Sequence, residues 1–350
     1  MARGVTAFFH RNQQETIFMT LSRRCFTRQL ASALACCTLS LGAGQAMAEQ
    51  TEYPEQPIEL LVPFAAGGTT DIIARAIAEP LGKELGQPVL VVNIDGEGGI
   101  AGAQQIARSA ADGYRLGIAT VSSMASNPAI HPDVGYHPLN DFSPIIHIAS
   151  TPNLLSVHSS FPAKSYAEFV KAVQAKPDGY RYASSGTGGI GHLQMELLQS
   201  LSGLAMQHAA YGGAGPALNS VVTGEVPILF DNLPSSLFSV TSGKLRPIAI
   251  AAPERIAALP QVPTFKELGL EPANRMAYYG IVGPKDLPRP IVYKIHAATA
   301  KVLGMANVRQ RIEDTGAQVI SGSPEEFAAQ IKAEYEVYEE LVKQRKLTLE

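Results

Sequence analysis

The chain has 350 residues, a formal net charge of −3, 46% hydrophobic residues and 17% charged residues. This composition is typical of a globular protein and excludes a disordered one, and the length predicts two domains. The near balance of charge argues against a nucleic-acid-binding protein, which normally carries a basic excess. The cysteines Cys25, Cys36 and Cys37 all lie near the N-terminus. A disulfide scaffold and a thiolate metal site are therefore excluded for the rest of the chain.

Residues 1–48 predict a secretory signal peptide. They hold five arginines and one acid, and the small-residue, mostly apolar run 29–47 leads into Ala46-Met47-Ala48. These are the basic region, apolar region and cleavage pattern of a signal peptide, so we expect cleavage after Ala48; the run is too short to span a membrane. The segment holds five of the 28 basic and one of the 31 acidic residues, so the mature chain has a net charge of −7 and no cysteine.

The export route and the start of the chain stay open at this stage. Ser22-Arg23-Arg24 resembles a twin-arginine export signal, and Sec export through the same segment is the alternative. Met19 is a second candidate start. Cys36-Cys37 faintly resembles a lipoprotein box, but a cysteine before the modified cysteine is atypical, which disfavours a lipid anchor.

Strands and helices alternate from residue 57 onward. Strands are predicted at 57–64, 89–93, 115–119, 181–184, 206–209, 226–230, 245–251 and 278–282, and the apolar stretch 143–157 is expected to form two strands separated at Pro152. Helical spacing of apolar residues follows Thr70 and recurs at 104–109, 166–175, 192–201, 214–223, 290–304 and 324–346. This alternation predicts βαβ units and a mainly parallel sheet.

Two segments share the order strand, glycine-rich turn, helix. They are 64–71 and 184–192. Glycines permit a close backbone approach, and amides at a helix N-terminus form an anion-binding nest. Hydroxyl donors at Thr69, Thr70, Ser184, Ser185 and Thr187 add no charge, so the pair of turns suits a carboxylate held from two sides. Ordinary βα turns, in which Gly, Ser and Thr are common, are the alternative.

Other motifs favour neither a cofactor nor a metal. Gly96 to Ala101 fits G-x-G-x-x-G/A, but it follows the second strand, and no acidic residue ends a strand about 20 residues later. No Walker A, G-x-S-x-G or H-E-x-x-H pattern occurs, and the histidines lack metal-like spacing. Ser185 and His192 form a conceivable hydrolase pair, although a helix-start role for His192 is favoured. Asp231 follows an apolar strand and is the most interesting acid.

Several motifs together resemble the substrate-binding receptors of tripartite tricarboxylate transporters, the Bug or TctC-type family. PFAAGGTTD at 63–71 is similar to the family's P-F-x-x-G-G-x-x-D, and NIDGEGGIAG at 93–102 to N-x-x-G-A-G-G-x-x-G. ADGY at 111–114 and DFSPI at 141–145 also match, as do YASSG at 182–186, GEV at 224–226, GKLR at 243–246 and LPQVPT at 259–264. The resemblance covers about residues 53–345.

Three positions depart from the family pattern. Tyr279 precedes Gly280 where Trp is usual, Gly212 stands where Lys is common, and Thr69 follows Gly68 where a third Gly is frequent. These departures place the ligand's identity in doubt more than the fold, and we expect ligand preference to differ near Tyr279.

The resemblance implies an α/β type II periplasmic binding protein with two Rossmann-like domains, a two-crossover hinge and a ligand cleft between the domains. Domain 1 would comprise 53–154 and 278–350, domain 2 would comprise 155–277, and the crossovers would lie near 148–157 and 276–282. The implied function is that of a monomeric periplasmic receptor without cofactor or metal. It would close on a di- or tricarboxylate, an acidic amino acid or an aromatic acid, and deliver it to a membrane permease.

The expected ligand-binding residues lie mostly in the two glycine-rich turns. They are Phe64, Ala65, Ala66, Gly67, Gly68, Thr70, Ser122, Ser184, Ser185, Gly186, Thr187, His192, Tyr211 and Asp231. A sensory protein that binds ligand without a permease is the first alternative function, and a secreted Ser/His hydrolase is the second.

Overall fold

A computed structural model describes residues 53–131 and 133–348 of the chain. The predicted signal peptide, with its cleavage site, twin-arginine motif and cysteines, lies outside the described residues. Eleven strands in the described part form two sheets, and both sheets belong to one compact unit that begins at Pro54.

The first sheet has six strands in the order β11-β4-β10-β3-β1-β2. Strands β1, β2 and β3 pair in parallel, whereas β10 and β11 pair antiparallel to their neighbours. The bounds are β1 Ile58–Val62, β2 Val89–Asn93, β3 Arg115–Thr120, β4 Phe142–Thr151, β10 Ala277–Pro284 and β11 Gln318–Gly322.

The second sheet has five strands in the order β7-β6-β8-β5-β9. Strand β6 pairs in parallel with β7 and β8, and β5 pairs antiparallel with β8 and β9. The bounds are β5 Asn153–His158, β6 Arg181–Ser184, β7 Gln207–Ala210, β8 Ile228–Asn232 and β9 Leu245–Ala251.

Ten α-helices are assigned in the described residues. They are α1 Thr69–Leu85, α2 Ile100–Ala107, α3 Asn127–Ile130, α4 Tyr166–Gln174, α5 Ile190–Ser202, α6 Ala214–Val222, α7 Leu233–Thr241, α8 Arg289–Leu303, α9 Ala306–Glu313 and α10 Pro324–Arg345. Ser122–Ser126 forms a π-helical turn after β3. We call the six-stranded sheet with α1–α3 and α8–α10 the first lobe, and the five-stranded sheet with α4–α7 the second lobe.

The expectation of a mainly parallel sheet is wrong, because both sheets are mixed. The chain leaves the first sheet at Thr151 and enters the second at Asn153, with only Pro152 between them, and it returns through β10. A strand that continues directly from one sheet into the next cannot also make the right-handed crossover that parallel neighbours require. Strands β4, β5 and β10 are therefore antiparallel to their partners.

Most of the predicted strands and helices are present in the structure, because the buried faces of these elements leave a regular apolar pattern in the sequence. Strand β1 is buried at every position except the partly buried Glu59, as expected for a strand covered on both faces. Helix α10 begins at a capping box in which Ser323 and Glu326 satisfy each other's amides. The aromatic pair Phe230 and Phe265 stacks within the core of the second lobe. Elements with weaker patterns, α7, α9 and β11, were not predicted.

Candidate functional site

A small cavity lies between the two lobes. Its volume is about 20 Å³, which is close to the space needed for one water molecule. Residues from both glycine-rich turns line it together with residues from β3, the π-helical turn, α6, β8 and β10. They are Phe64, Gly68, Thr69, Thr70, Thr120, Val121, Ser122, Ser185, Ile190, Ala214, Asn232, Ala277 and Tyr279.

Four helices begin at this cavity. Thr69, Ile190 and Ala214 are the first residues of α1, α5 and α6, and Asn232 is the N-cap residue of α7. Helix N-termini carry partial positive charge and amides without intrahelical partners. In α1, the amides of Thr69, Thr70 and Asp71 have no hydrogen-bond acceptor among the described residues. Helix α7 has no free amide in its first turn, because Leu233 donates to the Pro152 carbonyl, Ser235 donates to Thr69 Oγ1 and Pro234 has no N–H. The free backbone donors at the cavity therefore come first of all from α1.

The side chains that line the cavity are neutral. Hydroxyls, one amide and apolar groups face it, and neither a lysine nor an arginine belongs to the lining. Residues 49–350 carry a formal net charge of −7, so the overall charge of this part of the chain does not attract an anion. Any anion bound here would be held by local amide and hydroxyl dipoles.

Five of the predicted site residues line the cavity. They are Phe64, Gly68, Thr70, Ser122 and Ser185. The other nine surround the cavity or support its loops, and they are Ala65, Ala66, Gly67, Ser184, Gly186, Thr187, His192, Tyr211 and Asp231.

The first glycine-rich turn contacts the opposite lobe and is held by a buried carboxylate. The Ala65 amide donates to the Gly212 carbonyl at 3.1 Å, and Ala66 packs beside Gly215. The Gly67 amide donates to Asp71 Oδ2 at 3.0 Å. Burial by itself would raise the pKa of Asp71, but hydrogen bonds from Arg75, Gly67 and Asn93 hold it below its usual value. Asp71 thus fixes the turn as an anion.

The second turn approaches the first lobe closely. Gly186 has φ of +135°, and a Cβ built on it would lie 2.6 Å from the Gly98 backbone. Thr187 lies on the other side of this contact, where its carbonyl packs against Gly98. This close approach requires glycine at both positions, which explains why the sequence carries glycine-rich segments in both lobes.

His192 supports the second turn from behind. Its Nδ1 accepts from the Gly188 amide at 3.1 Å, and its ring stacks on His208 at 3.9 Å between centroids. Ser184 Oγ in turn hydrogen-bonds His208 Nε2 at 2.7 Å. Burial, with a smaller contribution from a neighbouring imidazole, lowers the pKa of His192 to about 4 and that of His208 to about 3. Both rings are therefore neutral at pH 7.

The hydrolase alternative gains no support from this arrangement. A nucleophile needs a base within hydrogen-bond reach. In the described residues, His192 Nδ1 is used by the Gly188 amide, and no hydrogen bond joins Ser185 to His192.

Asp231 and Tyr211 lie beside the cavity. Asp231 Oδ2 accepts from Ser235 Oγ on α7, and burial raises the pKa of Asp231 to about 6. The Tyr211 amide donates to the Ser184 carbonyl, and its phenol donates to Glu225. Both residues therefore make contacts within the second lobe.

Sequence reasoning missed several lining residues. Asn232 follows the predicted Asp231, and its side chain accepts a 2.6 Å hydrogen bond from Tyr279. Tyr279 was noted only as a departure from a family pattern. Ala214 is the first residue of α6 and follows two glycines. A glycine-rich turn before a helix was a signal in the sequence that could have predicted this residue. Thr120 is the last residue of β3 and Val121 follows it, at the carboxyl end of a strand, where ligands of open α/β sheets are found.

A larger groove of about 730 Å³ lies on the outer side of α1 and β2. Arg75, Glu79 and Lys83 line it, together with the exposed Leu90. It contains charges of both signs and none of the predicted site residues, so we place the candidate site in the cavity between the lobes. Among the described residues, no cluster of three or more His, Cys, Asp or Glu is suited to a metal ion. No helix in that part of the chain is long and apolar enough to cross a membrane.

Comparisons with known proteins identify the family of the chain. Residues 73–347 match the family model described as tripartite tricarboxylate transporter family receptor. BugT of Bordetella pertussis is 32% identical over 275 residues, which cover 78% of this chain and 84% of BugT.

Solved structures show the same fold. A structure described as a periplasmic transporter is 42% identical with a TM-score of 0.83, over 85% of this chain and all (100%) of that one. MatC from Rhodopseudomonas palustris with bound malate is 33% identical with a TM-score of 0.81, over 83% of this chain and 100% of MatC. R. palustris Rpa4515 with adipate is 33% identical with a TM-score of 0.81, over 85% of this chain and 99% of Rpa4515. The fold is thus that of the periplasmic binding proteins, and the chain belongs to the tripartite tricarboxylate transporter receptor family of solute-binding proteins.

Proposed function

We propose that this protein is a periplasmic receptor that closes on a small carboxylate and delivers it to a tripartite tricarboxylate-type permease. The observation that carries the proposal is the convergence of four helix N-termini on a cavity lined by neutral side chains. Such donors match a carboxylate, because they stabilise negative charge without a competing ion pair.

We infer closure of the two lobes from the small size of the cavity between them. Atoms of both lobes surround it, and its volume of about 20 Å³ is too small for a dicarboxylate. The lobes must therefore separate for a ligand to reach the donors. A ligand that touches both lobes binds the closed arrangement more tightly, so it shifts the population toward closure.

The domains of the proposed receptor are 53–154 with 278–350, and 155–277. The site would combine the five predicted lining residues with Thr69, Asn232 and Tyr279, while the remaining predicted residues shape the two turns. Relatives of similar fold bind malate and adipate, which favours di- and tricarboxylates first, and acidic amino acids or aromatic acids next. We further propose a monomer that acts by binding alone, without catalysis.

Calorimetric titration tests the binding claim. The panel is malate, adipate, citrate, glutamate and benzoate, with dimethyl adipate as the neutral control. We expect saturable binding of at least one carboxylate and a higher melting temperature in its presence, because such a ligand stabilises only the folded state. Dimethyl adipate should produce neither effect. Absence of heat and of thermal shift across the whole panel would contradict the proposal.

Uptake measurements separate transport from sensing. Cells that express the protein with a tripartite tricarboxylate-type permease should accumulate the labelled ligand, and cells that lack the receptor should not. Binding without receptor-dependent uptake by any such permease would favour the sensory alternative. Product formation from esters or amides would favour the hydrolase.

A further inference from the structure

Three helices of the second lobe, α5, α6 and α7, have no side-chain N-cap of their own, and the first lobe supplies an acceptor to two of them. Helix α5 begins after Gly189, which has no side chain to cap with, and α7 begins after Asn232, whose side chain makes no cap hydrogen bond. The amides in the first turn of a helix need acceptors from outside the helix. Both termini lie at the cavity between the lobes.

Ser122 of the first lobe supplies the acceptor for α5. Its Oγ accepts from the Ile190 amide at 3.0 Å, across 68 positions of sequence. Ser122 is buried, and it opens the π-helical turn after β3. The first amide of α5 is therefore satisfied by the opposite lobe.

Thr69 of the first lobe supplies the acceptor for α7. Its Oγ1 accepts from the Ser235 amide at 3.2 Å, across 166 positions of sequence. Ser235 is the third residue of α7, the position whose amide an N-cap side chain normally satisfies. Asn232 makes no such bond: its Oδ1 accepts from Tyr279 and its side-chain amide group donates to Asn153.

We propose that Thr69 and Ser122 act as N-caps in trans and thereby latch the two lobes together. Each hydroxyl oxygen lies within hydrogen-bond distance of its amide only when the lobes are closed. Each cap is therefore lost when the lobes separate. The caps therefore favour the closed arrangement before any ligand is bound. Because each oxygen accepts from an amide, each hydroxyl keeps its own hydrogen as a donor, and both residues line the cavity.

Small-angle X-ray scattering of the exported protein without ligand tests the latch. The variants are Thr69→Val, which keeps the shape and removes the oxygen, Ser122→Ala, and the double variant. Thr69→Ser is the conservative rescue, because it retains the oxygen. Thr223→Val is the matched control, since its hydroxyl donates only within α6 and its flanking residues.

We expect the radius of gyration to rise in Thr69→Val and Ser122→Ala and most in the double variant. One N-cap shifts a conformational equilibrium about fivefold, so each single variant should lower the ratio of closed to open protein by about that factor. Thr69→Ser and Thr223→Val should scatter like the parent protein. Circular dichroism and thermal unfolding confirm that each variant folds, and Ser122→Ala remains informative if Thr69→Val does not.

A double variant with the radius of gyration of the parent protein would overturn the latch. This arm uses no ligand, so it is independent of the proposed function. A second arm rests on that function: the apparent Kd for malate or adipate should weaken in Thr69→Val and recover in Thr69→Ser, because affinity falls with the closed fraction. Failure of every carboxylate to bind would contradict the proposed function and leave the scattering result to decide the latch.

Discussion

The phenol of Tyr279 donates a 2.6 Å hydrogen bond to Oδ1 of Asn232 and so joins the two sheets at the cavity. The side-chain amide group of Asn232 donates to Asn153 Oδ1. The side-chain amide group of Asn153 in turn donates to the Arg275 carbonyl at 2.7 Å. Burial raises the pKa of Tyr279, so the phenol remains a donor at neutral pH. Tyr279, one of the three positions at which the sequence departs from its family pattern, is thus part of the junction between the lobes.

Tyr279→Phe should weaken both closure and stability. The substitution leaves Asn232 Oδ1 without its donor, and an unsatisfied buried acceptor costs about 1–3 kcal/mol. We expect a loss of apparent affinity of about tenfold, measured by calorimetry with whichever panel carboxylate binds, and a lower midpoint of urea unfolding.

The neighbouring tyrosine provides the control for this prediction. The Tyr278 hydroxyl is buried and has no hydrogen-bond partner within the described residues. Tyr278→Phe should therefore leave both affinity and stability unchanged or slightly improved. Equal effects of the two substitutions would argue against a specific role for the bond between Tyr279 and Asn232.

Gly186→Ala should prevent closure. The added Cβ would lie 2.6 Å from the backbone of Gly98 in the other lobe, and Gly186 itself has φ of +135°. We expect carboxylate binding to fall at least tenfold while the circular dichroism spectrum is retained. Gly243→Ala is the control, because Gly243 has φ of +76° but nothing within 4 Å of the added Cβ. It should lose only the stability that backbone strain removes, about 1 kcal/mol, and should bind normally.

Glu334→Ala should destabilise the fold substantially. Glu334 on α10 pairs with Arg275 at 2.6 Å, and their side chains are 7% and 26% exposed. Removal of one partner from a buried pair leaves the other charge uncompensated, at a cost of about 3 kcal/mol. Urea unfolding measures this cost. Glu79→Ala breaks an exposed pair with Lys83, whose side chains are both 75% exposed, and it should have no measurable effect.

His208→Gln should change how stability depends on pH. The pKa of His208 is about 3 and that of His192 about 4 in the folded protein, below the value of about 6.5 for an unfolded histidine. Between these values the unfolded chain binds more protons, so stability is fully present above pH 6.5 and is lost as the pH falls toward 4 and then 3.

Denaturant unfolding between pH 7 and pH 4 measures this slope. The loss of stability on acidification should be smaller in His208→Gln than in the parent protein, and His158→Gln, at the partly exposed end of β5, is the control substitution. An identical pH slope in His208→Gln and the parent would show that the stacked histidines are not the groups responsible.

Local patterns in the sequence were sufficient for most of the fold. The apolar strands β1 and β3 and the amphipathic helix α10 were predicted because burial on a sheet or along a helix leaves a regular spacing of apolar residues. Helix α7 was not predicted. Its sequence mixes serines with apolar residues, its Phe238 is 76% exposed, and its first turn is capped from another lobe rather than by its own N-cap residue.

The candidate site was predicted in outline but not in its contacts. The glycine-rich turns were recognisable, because only glycine tolerates the close approach of two backbones and the positive φ found at Gly186. The sequence did not show which of two neighbouring strand residues faces the cavity. Asp231 was expected at the cleft, and Asn232 beside it lines the cavity.

The sequence by itself determined the α/β class, the two similar strand–turn–helix segments and the family, because these depend on spacing within short stretches of chain. Tertiary structure decided which distant groups meet. Ser122 reaches Ile190 across 68 positions and Thr69 reaches Ser235 across 166, and neither contact leaves a periodic trace in the sequence. Such hydrogen bonds depend on the relative placement of two separately folded sheets, which is set by packing between the lobes rather than by local backbone preference.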